Sequence, residues 1–126
     1  MNICKVYPLT PVAFQWDQAM TSVNLDINER VCTSRTSLHS FKTTYGNIAL
    51  SEGFRYHFSV RIVKGSNFKL GVSSTRDVLD QAFSDSLDGW AYYSNGQLRH
   101  GSKGEGPIYG ETYKADDVVG VYVDLK

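Results

Sequence analysis

Between Phe54 and Ile62 the chain reads F-R-Y-H-F-S-V-R-I, with an apolar side chain at every even position and Arg55, His57, Ser59 and Arg61 between them. A repeat of two sends alternate side chains to opposite faces, so the stretch predicts a strand with one buried and one wet face. Shorter versions recur at 12–16 (V-A-F-Q-W), at Val23, Leu25 and Ile27, at Phe68, Leu70 and Val72, at 90–93 (W-A-Y-Y) and at Val119, Val121, Val123 and Leu125. Gly71, Gly120 and Tyr122 fall on the opposite faces of their strands. Val31-Cys32 predicts a return strand, and Ile48-Ala49-Leu50 a brief one. Residues 75–88 carry Val78, Leu79, Ala82, Phe83 and Leu87, the only helical spacing in the chain; they read as a long loop with at most one helical turn.

Turn residues punctuate these runs. Asn28-Glu29-Arg30, Ser51-Glu52-Gly53 and Lys64-Gly65-Ser66-Asn67 predict turns, and Asn95-Gly96 is the strongest hairpin signal, because Asn and Gly tolerate the positive φ a tight hairpin requires. Residues 17–22 read as a polar turn or single helical turn, 33–47 as a Ser/Thr-rich loop, and 101–110 as a glycine-rich loop. About eight short strands at intervals of roughly 8–12 residues predict an all-β fold, a two-sheet antiparallel sandwich or a barrel. The final strand runs up to Asp124-Leu125-Lys126, which predicts either a closing strand or an open sheet edge.

At 126 residues the chain predicts a single domain. Thirteen basic residues balance thirteen acidic ones, which argues against nucleic acid or an anionic membrane as the main partner. No apolar run approaches the roughly 20 residues of a membrane helix, and Met1-Asn2-Ile3-Cys4-Lys5 lacks the apolar core of a signal peptide. The two cysteines, Cys4 and Cys32, read as reduced thiols of a cytoplasmic protein.

Candidate chemistry changes little. Asp85 with Asp88, and Asp116 with Asp117, are the carboxylate pairs a glycosidase would need in a cleft, but both lie in polar turns, where Asp serves the backbone. No serine sits in a Gly-x-Ser-x-Gly elbow, His39, His57 and His100 make no zinc spacing, and residues 101–106 do not match a P-loop. The reading is no catalytic group, no cofactor and no metal. Aromatic residues are the remaining signal: Phe41, Tyr45, Phe83, Tyr109 and Tyr113 lie in predicted loops, either as contact residues or as caps on the ends of the sandwich.

Taken in order, Gly53-Phe-Arg-Tyr56-His-Phe58-Ser-Val60, Lys69-Leu-Gly71-Val72-Ser, Gly89-Trp90-Ala-Tyr92, Tyr109 and Val119-Gly-Val121-Tyr-Val123-Asp124-Leu125 resemble the SPRY domain in order and spacing. The run Asn95-Gly-Gln-Leu-Arg-His100-Gly-Ser-Lys103-Gly is similar to the family's segment after the tryptophan strand. Trp16-Asp17 followed by Val23-Asn-Leu-Asp-Ile-Asn-Glu-Arg-Val31 resembles the PRY extension of the tripartite-motif ubiquitin ligases. The resemblance implies one SPRY-like domain over 1–126, with a PRY-like part at 12–47, a SPRY core at 50–126, and a concanavalin-like jelly roll. In the family the Asp-Leu strand continues into a G-x-h-x-F hairpin and further strands. These do not follow Leu125 here, so the resemblance implies a sandwich incomplete at its C-terminus, as a fragment or with a partner chain completing the sheet.

The family's function, carried over, is non-enzymatic binding of a protein or short peptide through loops at one end of the sandwich, as the targeting module of a ubiquitin ligase or a scaffold. By position, those loops are 34–47, 75–87 and 95–104. The candidate contact residues in them are Arg35, His39, Tyr45, Arg76, Leu79, Phe83 and Lys103. The alternative function is a carbohydrate-binding lectin of the same sandwich class; a hydrolase using Asp85 or Asp88 ranks third.

Overall fold

The computed structural model describes residues 1–8, 14–35 and 40–126. Among them are ten strands: β1 (Ile3–Pro8), β2 (Trp16–Thr21), β3 (Leu25–Asn28), β4 (Val31–Ser34), β5 (Thr44–Gly46), β6 (Arg55–Lys64), β7 (Lys69–Ser73), β8 (Gly89–Tyr93), β9 (Leu98–Arg99) and β10 (Val118–Asp124). A single 3-10 turn, Phe83–Asp85, interrupts the loop between β7 and β8. The strands form a five-stranded sheet in the order β10-β6-β1-β4-β3, a three-stranded sheet β7-β8-β9 and the pair β2-β5. Every pairing between named strands is antiparallel. The fold is all-β and compatible with a β-sandwich.

The alternation that predicts β6 sets the core. Val60 and Ile62 are fully buried, while Arg55 and Arg61 are exposed. Register carries the same face across the sheet: Ile62 lies opposite Cys4, Val60 opposite Val6 on one side and Val119 on the other, and Cys4 opposite Cys32. Phe68, Leu70, Tyr92 and Tyr113 from the second layer pack against this face. Tyr113 lies in a predicted loop, yet it is a core residue. Its ring is buried and its hydroxyl points at the carbonyls of Phe68 (3.0 Å) and Tyr92 (2.6 Å).

Glycine and asparagine do what the predicted turns need. Gly65, Asn67 and Gly96 adopt φ of 101°, 65° and 93°, and the hairpin between β8 and β9 closes over Asn95-Gly96. Gly71 is required for a different reason: a Cβ there would stand 1.9 Å from the Trp90 carbonyl oxygen.

Several expectations need correction. Residues 17–22 do not form a turn: Trp16–Thr21 is strand β2, and its register against β5 slips between Trp16 and Thr21. That irregularity blurs the alternation that sequence reading relies on. Val12 and Ala13 of the predicted 12–16 strand lie outside the described residues. Residues 48–50 are not strand, and the predicted 33–47 loop contains β5 and the end of β4. Val23 is exposed, and β3 begins at Leu25. Phe54 is exposed as well, so the buried stripe of β6 starts at Tyr56. The strand with the least sequence signal, β1, is central to the larger sheet.

Candidate functional site

Two of the three predicted loops are zipped together. The Thr43 N–H donates to the Leu79 carbonyl (2.9 Å), its hydroxyl to the Gln81 carbonyl (2.6 Å), the Lys42 ammonium to the Asp80 carbonyl (3.0 Å) and the Tyr45 hydroxyl to the Val78 carbonyl (2.9 Å). The Tyr45 and Phe83 rings meet edge to face, 6.4 Å between centroids. Ser22 joins from the end of β2, donating its N–H to the Thr43 carbonyl and its hydroxyl to an Asp80 carboxylate oxygen at 3.1 Å. All of these bonds except that between the Ser22 and Asp80 side chains satisfy a backbone group that would otherwise need water, so the segments 40–46 and 78–83 form one supported wall.

That wall borders a cleft of about 1070 Å³ between the sheets. Its lining is largely apolar and aromatic: Phe14, Trp16, Phe58, Leu70, Val72, Phe83, Trp90, Val123 and Leu125. The cleft is a concavity on the scale of ligand sites. Trp16 turns its indole N–H to a buried position with no acceptor. Trp90 is 42% exposed and stacks flat on His100, centroids 4.6 Å apart and planes 6° from parallel; His100 Nδ1 lies 2.9 Å from the Gly89 carbonyl.

Charge around the cleft is one-sided. Arg35, Lys42, Lys69 and Arg76 line it, against the single carboxylate of Glu52. Arg35 pairs with the exposed Asp26 at 3.4 Å and Arg76 with the half-buried Asp17 at 3.1 Å. Lys69 lies over the rings of Phe41 (4.1 Å) and Tyr93 (5.1 Å). Burial pulls the Lys69 ammonium below its ordinary pKa, against the opposing pull of Asp85. Burial, followed by the charge of Asp77, pushes the Tyr45 phenol up.

Among the sequence-predicted contact residues, the structure brings Arg35, Tyr45, Arg76 and Phe83 to the cleft. Leu79 is adjacent, giving its carbonyl to Thr43, but does not line the space. Lys103 is exposed on a separate turn, where the Ser102 hydroxyl accepts from the Gly104 and Glu105 N–H groups. His39 lies outside the described residues. Sequence reading misses Trp16, Val72, Trp90 and Leu125 as site residues because each sits on an inward stripe, and an inward stripe reads as core. Only the incomplete cover over that stripe makes them a surface.

A scan against protein-family models, a search of curated proteins and a search of solved structures found no match to this chain.

Proposed function

We propose that the chain is a non-enzymatic protein-interaction module of SPRY type, a concanavalin-like sandwich that takes a protein or short peptide against one end. The carrying observation is the joined wall of residues 40–46 and 78–83 beside an apolar cleft, with Tyr45 and Phe83 in mutual contact on it. Rigid sheets fix this wall, and loops fixed by a scaffold are where recognition residues concentrate. Aromatic rings deliver large contact area with few torsions to freeze. A role as the targeting or scaffold domain of a larger cytoplasmic protein follows from the SPRY resemblance.

The test compares wild type with Tyr45→Ala and Phe83→Ala. Partner capture from cell extract is measured alongside thermal unfolding, so that binding is expressed per folded molecule. The reading expects capture to fall about tenfold or more in each variant, the loss typical of interface hot spots. Unaltered capture by folded protein would remove both residues from the interface.

A further inference from the structure

We infer that the cleft accepts an extended peptide as an added strand on the free edge of β7, and that the preferred peptide has alternating apolar residues flanked by acidic ones. The inference rests on the interaction-module reading and specifies its ligand.

The first support is backbone accounting. The Ser94 N–H donates to the Phe68 carbonyl and the Ser74 N–H to the Asp88 carbonyl. These bonds fix the parity of the β7–β8 ladder: even-numbered residues from 68 to 74 spend their backbone groups on β8. Lys69, Gly71 and Ser73 therefore turn their N–H and C=O groups to the opposite edge, where no described strand pairs with them. An unpaired edge is a template for another strand, and main-chain bonding to such an edge is an established way to hold a peptide.

The second support is that this edge fronts an apolar space. Residues 68–73 all line the cleft, with Leu70 and Val72 facing the same side as Trp90 and Tyr92, their register partners on β8. A strand added to β7 would offer alternate side chains to this lining. Five residues of edge at about 3.3 Å each give roughly 17 Å of pairing length.

The third support is charge. The whole chain is neutral, yet the cleft carries four cations to one carboxylate. Two of the cations, Lys42 and Lys69, have no carboxylate within ion-pair distance among the described residues. The exposed Arg35–Asp26 pair is weak enough to be exchanged for a ligand's carboxylate. Complementary potential selects partners and speeds encounter. A basic or neutral peptide would leave Lys42 and Lys69 without a carboxylate in contact.

The test uses fluorescein-labelled synthetic peptides and fluorescence anisotropy on the full chain. The probe is a DEVTVSVED peptide; controls are KKVTVSVKK and the acidic peptide N-methylated at every central residue, which leaves neither of its edges able to donate to a strand. The expected result is that the acidic peptide binds at least about tenfold more tightly than either control, and that Lys42→Glu with Lys69→Glu erases or reverses the preference for acidic flanks. Equal binding of the N-methylated peptide would overturn strand addition, and equal binding of the lysine-flanked peptide would overturn the charge preference. Sedimentation showing a dimer that excludes the probe would assign the cleft to a second copy instead. If no peptide binds while capture still depends on Tyr45 and Phe83, strand addition is wrong and the interaction module stands; if both are lost, both fall.

Discussion

Individual residues carry consequences that differ in sign. Arg99 is 5% exposed, with Nε on the Gln97 amide oxygen at 2.9 Å, its guanidinium 5.1 Å from the Tyr93 ring, and Nη1 without a partner. A buried guanidinium with an unanswered N–H forfeits hydration it does not recover. Arg99→Met keeps the apolar stem and removes the charge, so denaturant titration should find it within about 1 kcal/mol of wild type or more stable. Tyr113→Phe should move the other way, losing about 1–2 kcal/mol as two carbonyls lose their shared hydroxyl. The pH response has one direction. Cys4's thiol bonding to Cys32, then burial, holds the Cys32 thiol above its ordinary value of 9.0, and burial raises Tyr113 above 10.0. Both groups are favoured neutral in the fold, so the folded chain keeps protons that the unfolded chain gives up. The stability this supplies is whole below pH 9 and is lost as pH rises through 9 and then 10; melting curves across that window should fall steadily, and a flat profile would contradict the burial of both groups.

Whole elements were legible in proportion to their regularity. The β6 stripe, the Asn95-Gly96 hairpin, and the Val119, Val121 and Val123 face of β10 emerged from alternation and turn chemistry alone, because each is a regular ladder with one buried side. Strands β1, β2 and β5 did not. β1 is six residues long, and its apolar residues Ile3, Cys4, Val6 and Tyr7 fall on both odd and even positions, so no period of two shows, although its Val6 is fully buried between β4 and β6. β2 hides behind its register slip and β5 behind its three-residue length. The site was half legible: loops carrying Tyr45 and Phe83 were identifiable by aromatic content, but their hydrogen-bonded union, and the strand positions that complete the cleft, depend on pairings far apart in sequence. The neglected strand has a testable weight. Val6→Ala removes two methyls from a site with no exposure and should cost about 2–3 kcal/mol in urea titration, whereas Val23→Ala, at 77% exposure, should cost less than about 0.5 kcal/mol.

For the molecule as a whole, the defining property is that, among the described residues, the sheets do not close on each other. Among the described residues the inner faces meet around Cys4, Val6, Val60, Ile62, Phe68 and Tyr113 and then part at the cleft, where the outer edge of β7 has no described partner strand. A folded protein with such a concavity should bind the apolar dye ANS while retaining near-ultraviolet dichroism, a combination that separates a built cleft from the dye binding of a molten state. Dye displacement by the acidic-flanked peptide would place both in the same space; dye binding only after near-ultraviolet dichroism is lost would mean that the cleft closes in solution.

Both tryptophans of the chain, Trp16 and Trp90, sit on the lining of this space, so the intrinsic emission of the protein is a label-free gauge of its occupancy. An occupant that expels solvent from around the two indoles should shift their emission to shorter wavelength, and Trp90, 42% exposed and stacked on His100, should respond most. Any candidate partner can thus be titrated against the unmodified chain, with the spectrum itself reporting whether it has entered between the sheets or merely touched the outside.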